Sequence, residues 1–510
     1  MNSADNENSS LQLLFMGTGT STGLPLIPCL TLSAPYPSTW HETVPLPSST
    51  PDNPPVRGAW DPSGDWPKNI PCASCRSAVD KDVPEGWKNK RGNTSLLLRK
   101  KDSQGQWKNV IVDVGKTFNQ QAEKLFPVWG VKSVDAVILT HGHADAYLGL
   151  DDLREWCIRL HMSIPIYLTK ATYDTVADSY PYLVDATKAS GGGDIPSLIW
   201  IIIEEESEFD IFGIHIHTFP VHHGIYFHEG ATDPLICLGF IFDHLIAYIA
   251  DVSHIPDKSW DILLNHRRVH SSLSSKMNGL TLEQPSSSSF STPTSTSTSN
   301  FIPIPLPTEQ LDLSLTHTHP SSYSSFSLDP KEKSTNNKLA VLIIDALWPL
   351  RSHTSHYNLR QALLAAERLR PCITYLVGST HPTSHYMWER LCQSISDIPQ
   401  VSENTQVGES QRNGHGRRVG KDVSTDIEER SKGKIVVNED NHPDKDVASI
   451  IVDKFWYTQP DEKEKQLLDQ WGKEGAKIEP AYDGLMLELQ RDSDCMVINP
   501  PQRFKDYLDW

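Results

Sequence analysis

The sequence has little positive charge and no long hydrophobic run, and each of these two features excludes some classes of function. Its 510 residues include 46 Lys and Arg against 64 Asp and Glu, a formal net charge of −18. This deficit disfavours broad contact with a nucleic-acid backbone, which needs Lys and Arg to displace counterions. The chain contains no uninterrupted apolar stretch of about 18 residues, so we expect no membrane span. A locally positive cleft stays compatible with this composition.

Cysteine is also sparse, and the first residues lack the features of a secretion signal. Residues 1–10 are mostly Asn, Ser and acidic residues, with neither a basic start nor an apolar segment. Eight cysteines in such a chain indicate reduced thiols or metal ligands rather than a disulfide framework. We therefore expect a cytoplasmic protein, with a nuclear location left open.

The sequence does contain two blocks of strand-like apolar runs, each followed by helix-like segments. The first block lies between residues 11 and 140, the second between 198 and 251, and strands and helices resume at 339. This alternation predicts an α/β fold, an αβ/βα sandwich of two sheets with helices on both outer faces. We expect a single catalytic domain over residues 11–500.

Three polar segments interrupt this pattern. Residues 31–69 are rich in Pro, Ser and Thr, residues 271–337 are low-complexity Ser, Thr and Pro, and residues 402–446 are polar and charged. Such compositions cannot bury enough apolar surface to offset the entropy of ordering the chain. We expect long disordered insertions at loop positions, with the Ser-rich segment acting as a passive loop in preference to a phosphorylated one.

The clearest chemical motif is His141-Gly-His143-Ala-Asp145, directly after the apolar run Val134–Thr140. Two His separated by one residue can converge on one cation, and the nearby Asp can supply an oxygen ligand to a neighbouring cation. A polar loop with solvent-facing His would share this short motif, so the motif alone does not establish a metal site.

Other His and Asp residues occupy similar positions in the chain, each after an apolar strand: His222, His223, Asp251 and His381. Each of them alone is compatible with an ordinary loop residue. A sandwich fold, however, brings strand ends to one edge, where loop residues carry function. Together with the end of Val134–Thr140, these residues make four separate strand ends that supply His or Asp, which favours a metal site.

The order and spacing of these motifs resemble the metallo-β-lactamase superfamily. Within it, the chain is similar to the branch that contains phosphoribosyl cyclic phosphodiesterase and uncharacterised eukaryotic hydrolases. The segments that carry the resemblance are Gly17–Pro25, Asn93–Leu96, Ile111–Gly115, Thr140–Arg154, Phe219–Gly224, Tyr248–Val252, Ile344–Leu347, Ser352–His356, Thr380–His385 and Ala481–Leu485. They cover nearly all of the chain outside the insertions.

The resemblance implies a catalytic centre of one or two Zn²⁺ or Mn²⁺ ions. The implied ligands are His141, His143 and His223 for the first metal, Asp145 and His381 for the second, and Asp251 as a bridge. His223 is preferred to His222 because it directly precedes a glycine, and Asp113 is expected to orient a ligand His. The superfamily usually has His where this chain has Ala146, which predicts weaker binding of the second metal.

A second, structural zinc is also implied. The pair Cys72-Ala-Ser-Cys75 has the spacing of a zinc-binding thiolate pair. The resembling phosphodiesterase adds a further cysteine and a histidine, which correspond here to Cys29 and His385. Ordinary free thiols remain the alternative.

The resemblance implies a phosphodiesterase that uses metal-bound hydroxide on a small cyclic or nucleotide-like phosphodiester. Asp145 and His356 are the expected catalytic residues, with His356 assisting the leaving oxygen. A nuclease that processes transfer-RNA 3′ ends and a non-catalytic metal-binding member are the alternatives. We expect no membrane partner and disfavour nucleic acid, and the oligomeric state, a homodimer included, stays open.

Overall fold

Two sheets pack face to face in the structure, which is a computed structural model that describes residues 10–31, 66–67, 70, 72–226, 233–265, 339–396, 442, 444–489 and 495–498. These residues belong to one unit of the chain, and a second unit, residues 268–337, lies outside them. The strands, in chain order, are β1 Leu11–Gly17, β2 Ser95–Lys101, β3 Trp107–Val112, β4 Ala136–Ile138, β5 Ile164–Leu168, β6 Leu198–Ile202, β7 Glu208–Ile211, β8 Ile214–Ile225, β9 Pro234–Phe242, β10 Ile246–Ile249, β11 Val341–Asp345, β12 Ile373–Val377, β13 Ile478–Pro480, β14 Met486–Leu489 and β15 Cys495–Ile498.

The strand order places the ends of several parallel strands at one edge. The first sheet runs β15-β14-β1-β2-β3-β4-β5-β6 and the second runs β13-β12-β11-β10-β9-β8-β7. Strands β3 to β6 are mutually parallel, and so are β10 to β13. Strand β8 is antiparallel to β9, which is antiparallel to β10, so β8 and β10 run in the same direction.

Helices cover both outer faces. They are α1 Ile27–Thr31, α2 Ala73–Val79, α3 Phe118–Trp129, α4 Ala144–Tyr147, α5 Arg154–Leu160, α6 Lys170–Ser179, α7 Pro181–Val184, α8 Leu359–Leu369, α9 His385–Ser396, α10 Lys445–Thr458 and α11 Glu462–Lys473. Single 3₁₀ turns occupy Gly86–Asn89, Leu150–Leu153 and Ala186–Lys188. In α8 and α11 an Asn or Asp at the N-cap completes a capping box with the third helical residue, which satisfies free backbone N–H groups.

The hydrophobic core has three layers, as a four-layered sandwich requires. Side chains such as Phe15 of β1 and Phe240 of β9 meet between the two sheets. Leu125 of α3 packs in a separate cluster outside the first sheet, and Trp388 of α9 does so outside the second. Burial on both faces explains why a central strand such as β11 is buried throughout, with four consecutive apolar residues before Asp345. The predicted αβ/βα sandwich is confirmed.

The predicted insertions fall mostly outside the described residues. That holds for all of residues 271–337, for nearly all of 31–69 and for most of 402–446. At the end of the third segment the prediction was too long, because Lys445 and Asp446 already begin α10. The extent of the catalytic domain, 11–500, stays a prediction. Among the described helices, none is long and apolar enough to cross a membrane.

Candidate metal centre

Three histidines converge at the edge where the parallel strands end. His141 and His143 follow β4, and His223 lies in the bulged end of β8, so the site joins the two sheets. The ring centroids lie 4.6 Å apart for His141 and His143, 5.1 Å for His141 and His223, and 5.0 Å for His143 and His223. One nitrogen from each ring lies within 4.8 Å of the others, which is a spacing that a single cation can bridge.

A chain of hydrogen bonds orients His141. The Thr140 hydroxyl donates to Asp113 Oδ2 at 2.8 Å and lies 2.7 Å from His141 Nδ1. Because the single hydroxyl proton is used on Asp113, Thr140 Oγ1 accepts from the Nδ1–H of His141. The lone pair of His141 Nε2 is then free, and this buried atom has no partner in the described part of the chain. Asp113, which we expected to orient a ligand His, reaches His141 through Thr140, a residue that the sequence did not single out.

Asp113 has a backbone conformation that supports this role. Its φ is +63°, in the left-handed region that side chains other than glycine rarely adopt. The conformation turns its carboxylate to accept both the backbone N–H and the hydroxyl of Thr140, each at 2.8 Å. Burial raises the pKa of Asp113 and lowers the pKa of His141, so the imidazole is neutral, as a metal ligand must be.

The second sheet contributes another group of ligand atoms: His223, Asp251 and His356. His356 Nδ1 donates to Asp345 Oδ2 at 2.8 Å and lies 3.6 Å from Asp251 Oδ1. Although burial opposes it, the charge of Asp345 raises the pKa of His356 to about 9. Burial raises the pKa of Asp251 to about 6. Asp345 is the second orienting residue that sequence reasoning missed, although its place at the end of β11 could have indicated it.

Asp145 lies near these residues without joining any of the ligand groups found among the described residues. It occupies the first turn of α4, and its charge contributes to raising the pKa of Asp251 after the larger effect of burial. His222, the neighbour of His223, instead faces His254 with a ring separation of 5.2 Å. The predicted preference for His223 agrees with this geometry.

Cys29, Cys72, Cys75 and His381 form a separate group of buried ligand atoms. Cys29 Sγ lies 3.2 Å from His381 Nε2, and Cys72 Sγ accepts the backbone N–H of Cys75 at 3.4 Å. Hydrogen bonds from Cys72 and Cys75 lower the pKa of the Cys29 thiol, whereas burial raises that of Cys72. A fully buried Cys₃His set is the donor chemistry of a closed structural zinc site.

This grouping corrects two sequence-based assignments. His381, predicted as a ligand of the second catalytic metal, lies instead with the cysteines. His385, predicted for the cysteine site, begins α9 and places its Nε2 3.1 Å from Glu389. The physical reason is the strand order: β12, which precedes His381, is separated from β10 by β11. The loop after β11 therefore reaches the catalytic edge, and it brings His356 there.

Comparisons with known proteins agree with this architecture. Residues 108–270 match the model of the beta-lactamase superfamily domain. This segment contains His141, His143, His223 and Asp251, and the surrounding sandwich is the metallo-β-lactamase fold. Residues 108–270, which carry most of the candidate metal ligands, are therefore similar to the beta-lactamase superfamily domain, a superfamily that is largely hydrolytic.

Individual proteins resemble this chain either at low sequence identity or over a short segment. An octanoyltransferase from Porphyromonas gingivalis is 31% identical over 153 residues, which are 30% of this chain and only 27% of that protein. A diphosphatase of the PhnP family is 20% identical, with 74% of this chain and 91% of the other covered and a TM-score of 0.41. Human tRNase Z, short form, is 13% identical over 73% of this chain and 94% of its own, with a TM-score of 0.32. These scores support no functional argument.

Proposed function

We propose that this protein is a metal-dependent phosphodiesterase that acts on a small cyclic or nucleotide-like phosphodiester. The observation that carries the proposal is the convergence of neutral His141, His143 and His223 beside the carboxylate of Asp251 and the imidazole of His356. Neutral imidazoles with a carboxylate suit Zn²⁺ or Mn²⁺. Such an ion, when bound, supplies Lewis acidity and lowers the pKa of water toward neutrality.

The residues of the site have separate roles in this proposal. His141, His143 and His223 would hold the first ion, with Nδ1 of His141 directed to Thr140 and Nδ1 of His223 donating to the Ser355 carbonyl at 2.8 Å. These bonds leave both Nε2 atoms for the ion and set the orientation of each ring.

For a second ion we propose Asp251 as a shared ligand and His356 in place of His381. His356 lies with Asp251 and His223 in one ligand group, and Asp345 accepts its Nδ1–H. We therefore prefer a ligand role for His356 over the predicted role at the leaving oxygen, and binding of the ion would displace the proton that the raised pKa leaves on the His356 imidazole. We keep Asp145 in the proposed set on the basis of the sequence, although its carboxylate joins no ligand group among the described residues. Because Ala146 supplies no ligand, we expect the second ion to exchange more readily than the first.

The cysteine group serves a different purpose in this proposal. Cys29, Cys72, Cys75 and His381 are all buried and would supply four donor atoms to one ion, which would leave no open position for a substrate. We therefore assign a structural zinc to it.

Two adjacent histidines allow a matched test. Purified wild type, His223→Ala and His222→Ala would be assayed for bound metal and for Zn²⁺- or Mn²⁺-dependent cleavage of bis(p-nitrophenyl) phosphate. We expect His223→Ala to lose the catalytic metal and at least about 100-fold in kcat/KM, a barrier increase of about 2.7 kcal/mol. His222→Ala should retain the catalytic metal and the wild-type kcat/KM.

The alternatives predict other results. Bound metal without cleavage of any phosphodiester would indicate a non-catalytic member, and cleavage confined to transfer-RNA precursors would indicate the nuclease. Equal activity in His223→Ala and wild type would eliminate the proposed site.

A further inference from the structure

A cavity of about 800 Å³ lies between helix α3 and the segment that joins β1 to the cysteine group. Its walls are residues 22–28 of that segment, residues 90–92 ahead of β2, and residues 116–125 at the start of α3. Among the described residues that line it, none is a proposed metal ligand. The volume falls in the range of about 300–1,000 Å³ that is typical of small-molecule sites.

Hydrogen bonds hold two of these walls together. The backbone N–H of Leu24 donates to the Arg91 carbonyl at 2.7 Å, and the N–H of Arg91 donates to the Leu24 carbonyl at 3.2 Å. Two residues further on, the N–H of Leu26 donates to Cys75 Sγ at 3.4 Å. A ligand in the cavity would therefore meet walls that are already ordered, and one of them is attached to the proposed structural zinc site.

The lining of the cavity carries net positive charge, in contrast to the whole chain. It includes four cationic residues and one acidic residue, which are Lys90, Arg91, Lys116, Lys124 and Asp483. The Asp483 carboxylate already accepts hydrogen bonds from the Gly92 N–H at 2.7 Å and from the Thr18 hydroxyl at 2.8 Å. A positively charged cavity in a chain with a net charge of −18 favours an anionic ligand.

The cations of the lining differ in what they already contact. The buried guanidinium of Arg91 donates to the Ser379 hydroxyl at 2.8 Å and to the Asn89 side-chain carbonyl at 3.1 Å. Lys116, by contrast, is exposed directly ahead of α3 and forms no ion pair with a carboxylate in the part of the chain that the structure describes. Its compact ammonium charge is therefore available to an anionic group of a ligand.

The remaining lining is largely apolar. It includes Met16, Leu24, Leu26, Ile27 and Leu125. Ile27 is 72% exposed, although isoleucine is among the residues most often buried. A large apolar side chain that stays exposed beside a cavity points to an apolar partner. Apolar walls next to lysines thus suit a ligand that has both an aliphatic chain and a negative charge.

We infer that this cavity binds a small amphipathic anion, namely a carboxylate with an aliphatic chain. Lys116 pairs with the carboxylate in this arrangement, Lys124 adds positive charge, and the wall that contains Leu26 and Ile27 contacts the chain. The site is separate from the proposed catalytic centre and does not depend on phosphodiesterase activity.

Three ligands distinguish the contribution of the charge from that of the chain. Heptanoate, propionate and heptan-1-ol would be titrated into the full-length, zinc-loaded protein by calorimetry. Heptanoate has a longer aliphatic chain than propionate, so we expect it to bind at least about tenfold more tightly. It should also bind about tenfold more tightly than heptan-1-ol, the scale of one charge-assisted contact. Lys116→Glu should abolish the preference over the alcohol and leave the affinity for the alcohol unchanged.

Two further variants serve as controls. Lys170→Glu is matched to Lys116→Glu, because Lys170 is an exposed lysine at the start of α6 that pairs with Asp174 outside the cavity, and it should behave as the wild type. His223→Ala locates the ligand, because a carboxylate can also bind a catalytic metal ion. An unchanged affinity for heptanoate in His223→Ala supports the cavity, whereas loss of binding would overturn the inference.

Two other outcomes would also overturn it. One is a wild type that binds heptanoate no more tightly than propionate or heptan-1-ol. The other is a preference for heptanoate over the alcohol that Lys116→Glu leaves intact. Failure of the phosphodiesterase assay would reject the proposed catalytic function and would leave these binding results unaffected.

Discussion

Replacement of His381 by alanine should remove the structural zinc and leave the catalytic metal in place. His381 Nε2 lies 3.2 Å from Cys29 Sγ, and the two other cysteines of the group are within 4.8 Å. The variant deletes one of four buried donor atoms and leaves three thiol groups without the fourth ligand. His385→Ala is the matched variant, because His385 is also buried but contacts Glu389.

The size of the effect follows from the coordination. Structural zinc sites bind with an apparent free energy of about 10–16 kcal/mol in small domains, and this energy stabilises the fold. Loss of one of four ligands should weaken zinc binding at least about 100-fold, which corresponds to about 2.7 kcal/mol. Because the unit is larger than the domains of 150–250 residues for which the shift is about 2–4 °C per kcal/mol, the melting temperature should fall by about 5 °C or less for this loss.

The assay is zinc content per chain after dialysis against a mild chelator, combined with thermal unfolding. His381→Ala should lose one zinc relative to wild type, and His385→Ala should keep it although the lost contact with Glu389 lowers its stability. Zinc content is therefore the decisive measurement. Loss of the zinc from His385→Ala but not from His381→Ala would refute the assignment and restore the one made from the sequence.

Three further substitutions test individual contacts. Thr140→Val removes the acceptor of His141 Nδ1–H and should weaken catalytic metal binding about tenfold in a metal titration; unchanged affinity would contradict the orienting role. Asp345→Asn removes the charge that faces His356 and should weaken the second metal by about 10–100-fold, whereas loss of the first metal alone would contradict our placement of His356. Glu389→Gln should cost about 1–2 kcal/mol in a denaturant titration at pH 7. Although burial opposes it, nearby positive charge lowers the pKa of Glu389 to about 2, so its stabilising effect is present above pH 4.5 and is lost as the pH falls toward 2. The variant should therefore be less sensitive to acid than the wild type, and an identical acid profile would argue against this.

Much of the architecture was predictable because local patterns determine it. The predicted strand-like block of residues 11–140 contains β1 to β4, and the block of residues 198–251 begins with β6 and ends with β10. Strand β5 lies between the two predicted blocks and was missed, because its five residues include a proline, which is uncommon inside a strand. Helix α9 was also missed, since its start at His385 follows a loop that was assigned to metal ligation.

The sequence by itself determined which chemistry is available: His and Asp at the ends of apolar strands, and a cysteine pair with zinc-binding spacing. It could not determine which strand end meets which, because the order of strands in a sheet depends on packing between segments far apart in the chain. Only the tertiary structure placed β11 beside β10, which brings His356 to the catalytic edge and directs His381 to Cys29. The contact between Thr140 and Asp113 likewise depends on the adjacent, parallel pairing of β3 and β4, in residues that lie 27 positions apart.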